Sequence, residues 1–364
     1  MDRTHEDRMA RALAHMSERG LAQTIVTSGA AIRWLTGVSI DPGERMLALY
    51  LSADGERRMF VNALFPQGGD AGLPVTWHAD GEDAVEILSR AIDAGSPVGI
   101  DGACPARFLL RLQELLPGAR CVEASWAVDA ARRIKDEDER ERMREAGRRI
   151  DRVMERLVPM TAAGMTEREL AAACLSLIEE EGGEGPAFAP ITAYDGGAAD
   201  PHHAPGDARG GEGSCALLDI GLMWGGYASD MTRTVFVGHV SDRQRKIYEI
   251  VREAQARGIE AARPGARMCD VDAACRSHIA AHGFGPHFTH RTGHSIGMET
   301  HEAGDVSAAD EAIIEEGQAF SIEPGIYLPE EGIGVRIEDV VLIGPDGAEP
   351  LTRYPKDLIV VPRT

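Results

Sequence analysis

The sequence predicts two domains of different class, an α/β domain over residues 1–130 followed by a larger α+β domain over 131–364. Three observations predict this. Helical and extended patterns alternate through the first third of the chain, a nearly continuous run of charge follows Trp126, and the remainder sets two glycine-rich extended stretches, 214–238 and 317–344, among amphipathic helices. A length of 364 residues with 43% hydrophobic content fits the division, because single cores stop growing at about 250–300 residues.

In chain order, a helix is expected over 6–19, ended by Gly20, with extended segments at 24–27 and 45–51 and with Leu35-Thr36-Gly37 following a helix. A helix over 83–94, a strand over 97–101 and a helix over 106–116, stopped by Pro117-Gly118, complete two or three βα units. The run from Arg132 to Arg142 reads as a solvated helix start, because mixed-sign charges at i,i+4 stabilise exposed helices. That helix is expected to reach about Val158, with Met143, Ala146, Ile150, Met154 and Leu157 on its apolar stripe, so the domain boundary is placed near Ala130. Thr166-x-x-Glu169 and Ser241-x-x-Gln244 read as capping boxes that open two further helices.

Charge narrows the function classes. Against 38 Lys+Arg stand 59 Asp+Glu, a formal net charge of −21, and with no basic stripe to override it nucleic acid and anionic membrane surfaces are excluded as partners. No stretch approaches the roughly 18 apolar residues of a membrane span, and Met1 to Arg8 lack the apolar core of a signal peptide, so the expected location is cytoplasmic. Six scattered cysteines without a Cys-x-x-Cys pair read as reduced thiols; a metal site here would use oxygen and imidazole ligands.

Such ligands are present in a suggestive pattern. The apolar strand ending Leu217-Leu218-Asp219-Ile220 and the extended segment around Ser229-Asp230-Met231 flank Gly225-Gly226, and a hairpin that sets Asp219 opposite Asp230 would turn between Trp224 and Gly225. The same reasoning sets Glu323 opposite Glu338 across a turn within Pro329-Glu330-Glu331-Gly332. Four converging carboxylates repel one another and call for a cationic partner, and two divalent ions would balance them. The segment 286–302 adds a dense cluster, His287, His290, His294 and His301, in which Gly293-His294 and Ile296-Gly297 keep the backbone slim for close approach.

These residues resemble the pita-bread metallopeptidases: methionine aminopeptidase, aminopeptidase P and prolidase, with creatinase as a relative. The matching elements are Leu218-Asp219-Ile220-Gly221, Gly226 to Thr234, Gly293-His294-Ser295-Ile296-Gly297 with His301-Glu302, Ile322 to Tyr327 and Val335-Arg336-Ile337-Glu338-Asp339. They occur in order, and the resemblance extends from about Ala130 to the closing segment Leu351 to Leu358. It implies a pita-bread (creatinase/aminopeptidase-like) fold for the second domain and a creatinase-like fold for the first.

The resemblance implies five metal ligands, Asp219, Asp230, His294, Glu323 and Glu338, holding two divalent ions, Mn expected and Co or Zn tolerated. A hydroxide bridging the ions would attack the scissile carbonyl. His202 and His301 would hydrogen-bond the peptide and the developing oxyanion, with Glu323 handling the proton, while His290 and Arg336 would position substrate or ligands. His203 reads as a solvated neighbour of His202, and residues 192–200 depart from the Ser-Gly start and later Asn of many relatives. A large N-terminal domain separates this chain from the methionine aminopeptidases, so the implied activity is hydrolysis of Xaa-Pro bonds in dipeptides or short proline-containing peptides, by a homodimer. The alternatives are a non-catalytic peptide-binding or scaffold protein that keeps the fold, or a related amidinohydrolase.

Overall fold

The computed structural model describes residues 3–363 and divides into two units, one ending at Arg132 and the other starting at Arg133. Among the described residues no helix is long and apolar enough to cross a membrane.

The first unit contains α1 (Arg3–Glu18), β1 (Gln23–Val26), α2 (Gly29–Thr36), β2 (Ala48–Ser52), β3 (Arg57–Asn62), β4 (Val75–His78), α3 (Ala84–Ser89), β5 (Val98–Ile100), α4 (Ala106–Leu115), β6 (Cys121–Glu123) and most of α5 (Trp126–Arg133). Its strands form one mixed sheet in the order β4-β3-β2-β1-β5-β6, with β1, β5 and β6 mutually parallel. Ile25, Tyr50, Phe60, Val98 and Ile100 from the strands meet Val85, Leu88 and Leu112 from α3 and α4. β3, β4 and β6 were not expected from the sequence pattern: β3 begins Arg57-Arg58 and β6 has only three residues, so neither shows an apolar alternation long enough to read.

The single helix expected from Arg132 to Val158 is two. α5 ends at Arg133 and α6 (Glu137–Leu157) starts afresh, because the Asp136 side chain accepts from the Glu139 amide while Glu139 reaches back to the Asp136 amide. Nor is the charge run simply solvated. Arg132, Lys135 and Glu139 are buried, and Lys135 Nζ lies 3.0 Å from Glu302 Oε2. All five stripe residues of α6 are buried as the periodicity requires.

The rest of the second unit comprises α7 (Glu167–Glu180), β7 (Gly185–Pro186), β8 (Ile191–Tyr194), β9 (Cys215–Ile220), β10 (Leu222–Trp224), β11 (Tyr227–Ala228), β12 (Met231–Val237), α8 (Asp242–Ala261), α9 (Met268–Ala281), β13 (Gly293–Ser295), β14 (Glu302–Val306), β15 (Ala319–Ile322), β16 (Gly325–Leu328), β17 (Ile333–Arg336), β18 (Asp339–Gly344), β19 (Gly347–Pro350) and β20 (Val360–Val361). Three sheets, β20-β12-β9-β8, β14-β13-β15-β18-β19 and the small β11-β10-β7, and the β16–β17 ribbon share this unit. Phe236, Tyr248, Val271, Phe320, Ile322 and Val335 lie in its largest apolar cluster, which α8 and α9 cover. The boxes at Thr166 and Ser241 open α7 and α8 as expected.

The first hairpin turns one residue later than the sequence suggested. Trp224 pairs with Tyr227 around Gly225-Gly226, both glycines at positive φ, the geometry a tight two-residue turn requires. Asp219 therefore faces Thr232, and Asp230 is not its direct partner. The shift moves the partner by two positions, and strand side chains alternate with period two, so Asp219, Thr232 and Asp230 keep a common face. The second hairpin holds the expected register. Ile322 pairs with Asp339 and Gly325 with Arg336, which leaves Glu323 and Glu338 opposite each other between the two ladders.

Gly147 tests the packing of α6. Alanine in a helix interior ordinarily stabilises by about 1 kcal/mol over glycine. A Cβ at Gly147, however, would stand 2.2 Å from the Leu351 carbonyl oxygen. Gly147→Ala is therefore expected to lower the melting temperature, overpacking costing about 1–3 kcal/mol before the helix gain is returned. Calorimetry of the variant decides it; a raised melting temperature would show that the closing segment yields.

Candidate metal centre

A cavity of about 620 Å³ opens among the strands of the second unit, and every site residue expected from the sequence lines it: Asp219, Asp230, His294, Glu323, Glu338, His202, His290, His301 and Arg336. The local backbone explains the convergence. Asp230 sits in the break between β11 and β12, and a bulge between His294 and Ser295 re-aims β13. Glu323 and Glu338 stand where one ladder gives way to the next.

Asp230, His294 and Glu338 each place a ligand atom within 4.8 Å of the others, and His294 Nε2 lies 3.6 Å from Asp230 Oδ2 and 3.5 Å from Glu323 Oε1. The His294 Nδ1–H donates to the Ser295 carbonyl at 3.2 Å, so Nε2 turns its lone pair toward the carboxylates. Asp219 Oδ1 and Asp230 Oδ1 are buried without a hydrogen-bond partner. Burial, then the neighbouring Asp219 and Glu323, pushes the Asp230 carboxyl well above its usual range. Glu338 is raised well above its range by burial and then by Asp230. Burial also raises Glu323, against His294 and Arg336. Orphaned acceptors and a lone pair aimed at carboxylates fit a cation among them, since acceptors brought together without a donor repel.

Arg336 holds this arrangement together. Its Nη2 donates to Asp219 Oδ2 at 2.6 Å, its Nε to Thr232 Oγ1 at 3.1 Å and its Nη1 to the Tyr327 hydroxyl at 2.8 Å. The Thr232 hydroxyl in turn donates to Glu338 Oε2 at 2.6 Å. Burial opposes the guanidinium charge, yet Tyr327, Asp219, Glu323 and Glu338 hold its pKa well above the ordinary value. With only 3% of its surface exposed and these donors committed, Arg336 orders Asp219 and Glu338, the second of the two parts, positioning substrate or ligands, expected of it. His290 is likewise engaged: its Nδ1–H donates to the Arg291 carbonyl at 2.7 Å and its Nε2 accepts from Tyr327 at 2.8 Å. Burial, aided by Arg336, brings its pKa down to about 4, so it packs as a neutral ring.

His301 stacks edge-on against His294, ring centroids 4.2 Å apart. Burial first, then His294 and Arg291, lowers it to about 4, with Asp219 and Asp305 acting the other way. Of the adjacent pair, His202 lines the cavity, while His203 turns away and lies 2.8 Å from the buried Glu167. His203 is thus a structural partner of α7 and not a solvated loop residue. The unusual segment 192–200 is not part of the lining either. Asp195, at φ 47°, accepts from Ser214 and from the Cys215 amide and pins the chain to the start of β9. Sequence reasoning passed over Thr232, Tyr327 and Ser321, whose hydroxyl lies 3.1 Å from Glu323. All three stand beside motif acids, and hydroxyl groups next to buried carboxylates were the signal to follow.

A cavity that gathers four carboxylates and a histidine, on an α+β scaffold that follows an α/β domain in the chain, defines the pita-bread class of metal-dependent hydrolase. The chain belongs to metallopeptidase family M24, whose model matches residues 141–345, and the Creatinase/Prolidase N-terminal domain matches residues 8–134. The "Probable dipeptidase PepE" of Mycobacterium tuberculosis is 37% identical, over 98% of this chain and 96% of the relative. The Xaa-Pro dipeptidase of Pyrococcus furiosus is 32% identical, over 97% of this chain and all of the relative. The crystal structure of a prolidase from Thermococcus sibiricus superposes with a TM-score of 0.93 at 32% identity, covering 99% of both chains.

Asp230→Asn is expected to keep the fold and lose metal together with activity, because it removes one charge from the carboxylate cage. Metal content by elemental analysis and peptide hydrolysis are measured on the same sample. Full activity with an unchanged metal content would remove Asp230 from the ligand set.

Proposed function

We propose that the chain hydrolyses the Xaa-Pro bond of dipeptides or short peptides with two divalent ions held by Asp219, Asp230, His294, Glu323 and Glu338. The observation that carries this reading is the convergence of four acidic side chains and His294 on one cavity, the His294 Nε2 facing Asp230 and Glu323, with two carboxylate oxygens left buried and without donors. Mn is the expected metal, because the donor set is mostly carboxylate oxygen, and Co or Zn would also be accepted by a site with one imidazole. The ions would supply Lewis acidity toward the scissile carbonyl and lower the pKa of the attacking water.

The residues of the chain do the rest. Arg336 and Thr232 fix Asp219 and Glu338 before any ion arrives, so little reorganisation is left for the reaction. His301, held neutral at physiological pH, keeps an N–H with which to meet the oxyanion as it develops. His202 lines the same cavity as a second donor to the peptide. Glu323 is placed to move the proton from water to the leaving nitrogen. Phe188, Ala189 and Ile191 form an apolar wall suited to a pyrrolidine ring. The relatives named for dipeptide and Xaa-Pro hydrolysis support this substrate class, and the resemblance also supports a homodimer.

Protein stripped of metal and reloaded with Mn, Co or Zn is expected to cleave Xaa-Pro dipeptides, and a parallel assay with Xaa-Pro-Yaa peptides sets the length limit. No turnover by any reloaded form would refute the proposal. His301→Ala is expected to lower turnover by about 10²-fold or more while metal content stays at the level of the unmodified protein. Loss of metal in that variant would make His301 a ligand. Sedimentation velocity on the reloaded protein tests the dimer.

A further inference from the structure

A second group of metal-ligating side chains lies outside the cavity, at the C-terminal end of α9, where His278 and His282 stand one helical turn apart. Side chains four apart share a helix face, and the two ring centroids are 4.6 Å from each other. His282 donates from Nδ1 to the His278 carbonyl at 2.9 Å, which leaves its lone pair on Nε2. The same ring lines an open cavity of about 390 Å³, a path by which a hydrated ion arrives.

His278 is only 9% exposed, and its Nε2 is buried without a hydrogen-bond partner. Glu253 on α8 sets Oε2 3.3 Å from that nitrogen, without the alignment of a hydrogen bond. Burial first, then Arg257 and His282, lowers the pKa of His278 against the pull of Glu253, so the ring is neutral and able to ligate near pH 7. A buried nitrogen that neither gives nor accepts a hydrogen bond costs free energy, and a metal ion would satisfy it. Arg257 opposes a cation here, while Glu253 and the negative end of the α9 dipole favour one.

The donor set selects the ion. The first site offers four carboxylates and one imidazole, whereas this one offers two imidazoles and one carboxylate, a set suited to tetrahedral zinc with water as the fourth ligand. Two histidines at i,i+4 on one helix face have the spacing that grips such an ion. We propose that His278 and His282, joined by Glu253, bind one zinc ion that ties the end of α9 to α8. The Glu253 side chain is 58% exposed, so its carboxylate can swing onto an ion held by the two rings. Because α8 and α9 cover the largest apolar cluster of the unit, the ion braces that layer and has no part in the chemistry of the carboxylate site. The brace stands apart from the peptidase reading and does not depend on it.

The full chain, kept in excess Mn, is dialysed against a low concentration of zinc, and both metals are counted by elemental analysis. The unmodified protein should hold one zinc per chain more than His282→Gln, because zinc that enters the carboxylate site counts equally in both. His278→Gln should lose the same ion; His282 is exposed, so its substitution tests the site even where the buried change unfolds the protein. Replacing even an outer partner of a metal site costs about 10- to 100-fold in affinity, so Glu253→Gln should weaken zinc binding about 10-fold or more. Added zinc should raise the melting temperature of the unmodified protein more than that of His282→Gln, as mass action requires of an ion held by the folded chain alone. Equal zinc counts in those two proteins would overturn the site, as would a loss of Mn alongside the zinc, which would place the missing ion among the carboxylates. Undiminished zinc affinity in Glu253→Gln would overturn the tie to α8.

Discussion

The second unit is organised around one electrostatic constraint: several carboxylates share a buried space, with the buried guanidinium of Arg336 as the counter-charge in direct contact with them. Isolated buried carboxylates would take up protons, and the raised pKa values of Asp230, Glu323 and Glu338 express that cost. Arg336 offsets part of it and in doing so divides the cluster. Asp219 is held through Oδ2 by the guanidinium and Glu338 is tied to it through Thr232, while Asp219 Oδ1 and Asp230 Oδ1 are left without a donor and Asp230 and Glu323 face His294 Nε2. The oxygens satisfied by protein fix the geometry, and those that are not create the demand for a cation. A site with every carboxylate paired internally would have no use for metal, and one with none paired would have no fixed shape.

The backbone meets this constraint with strand breaks rather than with long regular strands. Asp230 occupies the gap between β11 and β12, and Glu323 and Glu338 the gap between two ladders that share one register. Ladder interruptions let acidic side chains enter a space that regular pairing would fill with apolar neighbours. Gly221 shows how close the chain comes there, since a Cβ on it would lie 2.3 Å from the Ser229 carbonyl oxygen. Behind this layer Asp339, fully buried, accepts from Arg233, Thr352, Gln255 and Lys356 and is lowered, the pull of Arg233 and Lys356 outweighing burial. Arg233 also donates to the Glu338 carbonyl at 2.6 Å, so a fully satisfied polar network backs the unsatisfied one.

These relations explain what could be read from the sequence. Side-chain parity along a strand survives an error of one residue in a turn, so Asp219 and Asp230 could be assigned to one face although the hairpin turns at Gly225-Gly226. The α6 stripe was legible because five apolar residues repeat at helical spacing. What was not legible depends on contacts between distant segments. Arg336 could be placed in the cavity by its motif, but its commitment to Asp219 joins residues more than a hundred apart. The break at Ile134-Lys135 is invisible to a charge count, since the capping box that causes it is made of the same charged residues. The strands β3, β4 and β6 are held by sheet neighbours and not by their own pattern.

The charge arithmetic of the cavity runs against that of the whole chain. At −21 the protein repels anionic ligands at long range, so a carboxylate-bearing substrate must be drawn in by a local field. Four carboxylates and Arg336 leave three negative charges, and two divalent ions in the proposed arrangement turn these into one positive charge, with His290 and His301 neutral. Metal loading would thereby change the sign of the site as well as its chemistry. The same ions that polarise a carbonyl would make the cavity hospitable to the anionic end of a short peptide. In the unloaded protein the raised carboxyls of Asp230, Glu323 and Glu338 would take up protons instead, so protons and metal ions would compete for the same groups.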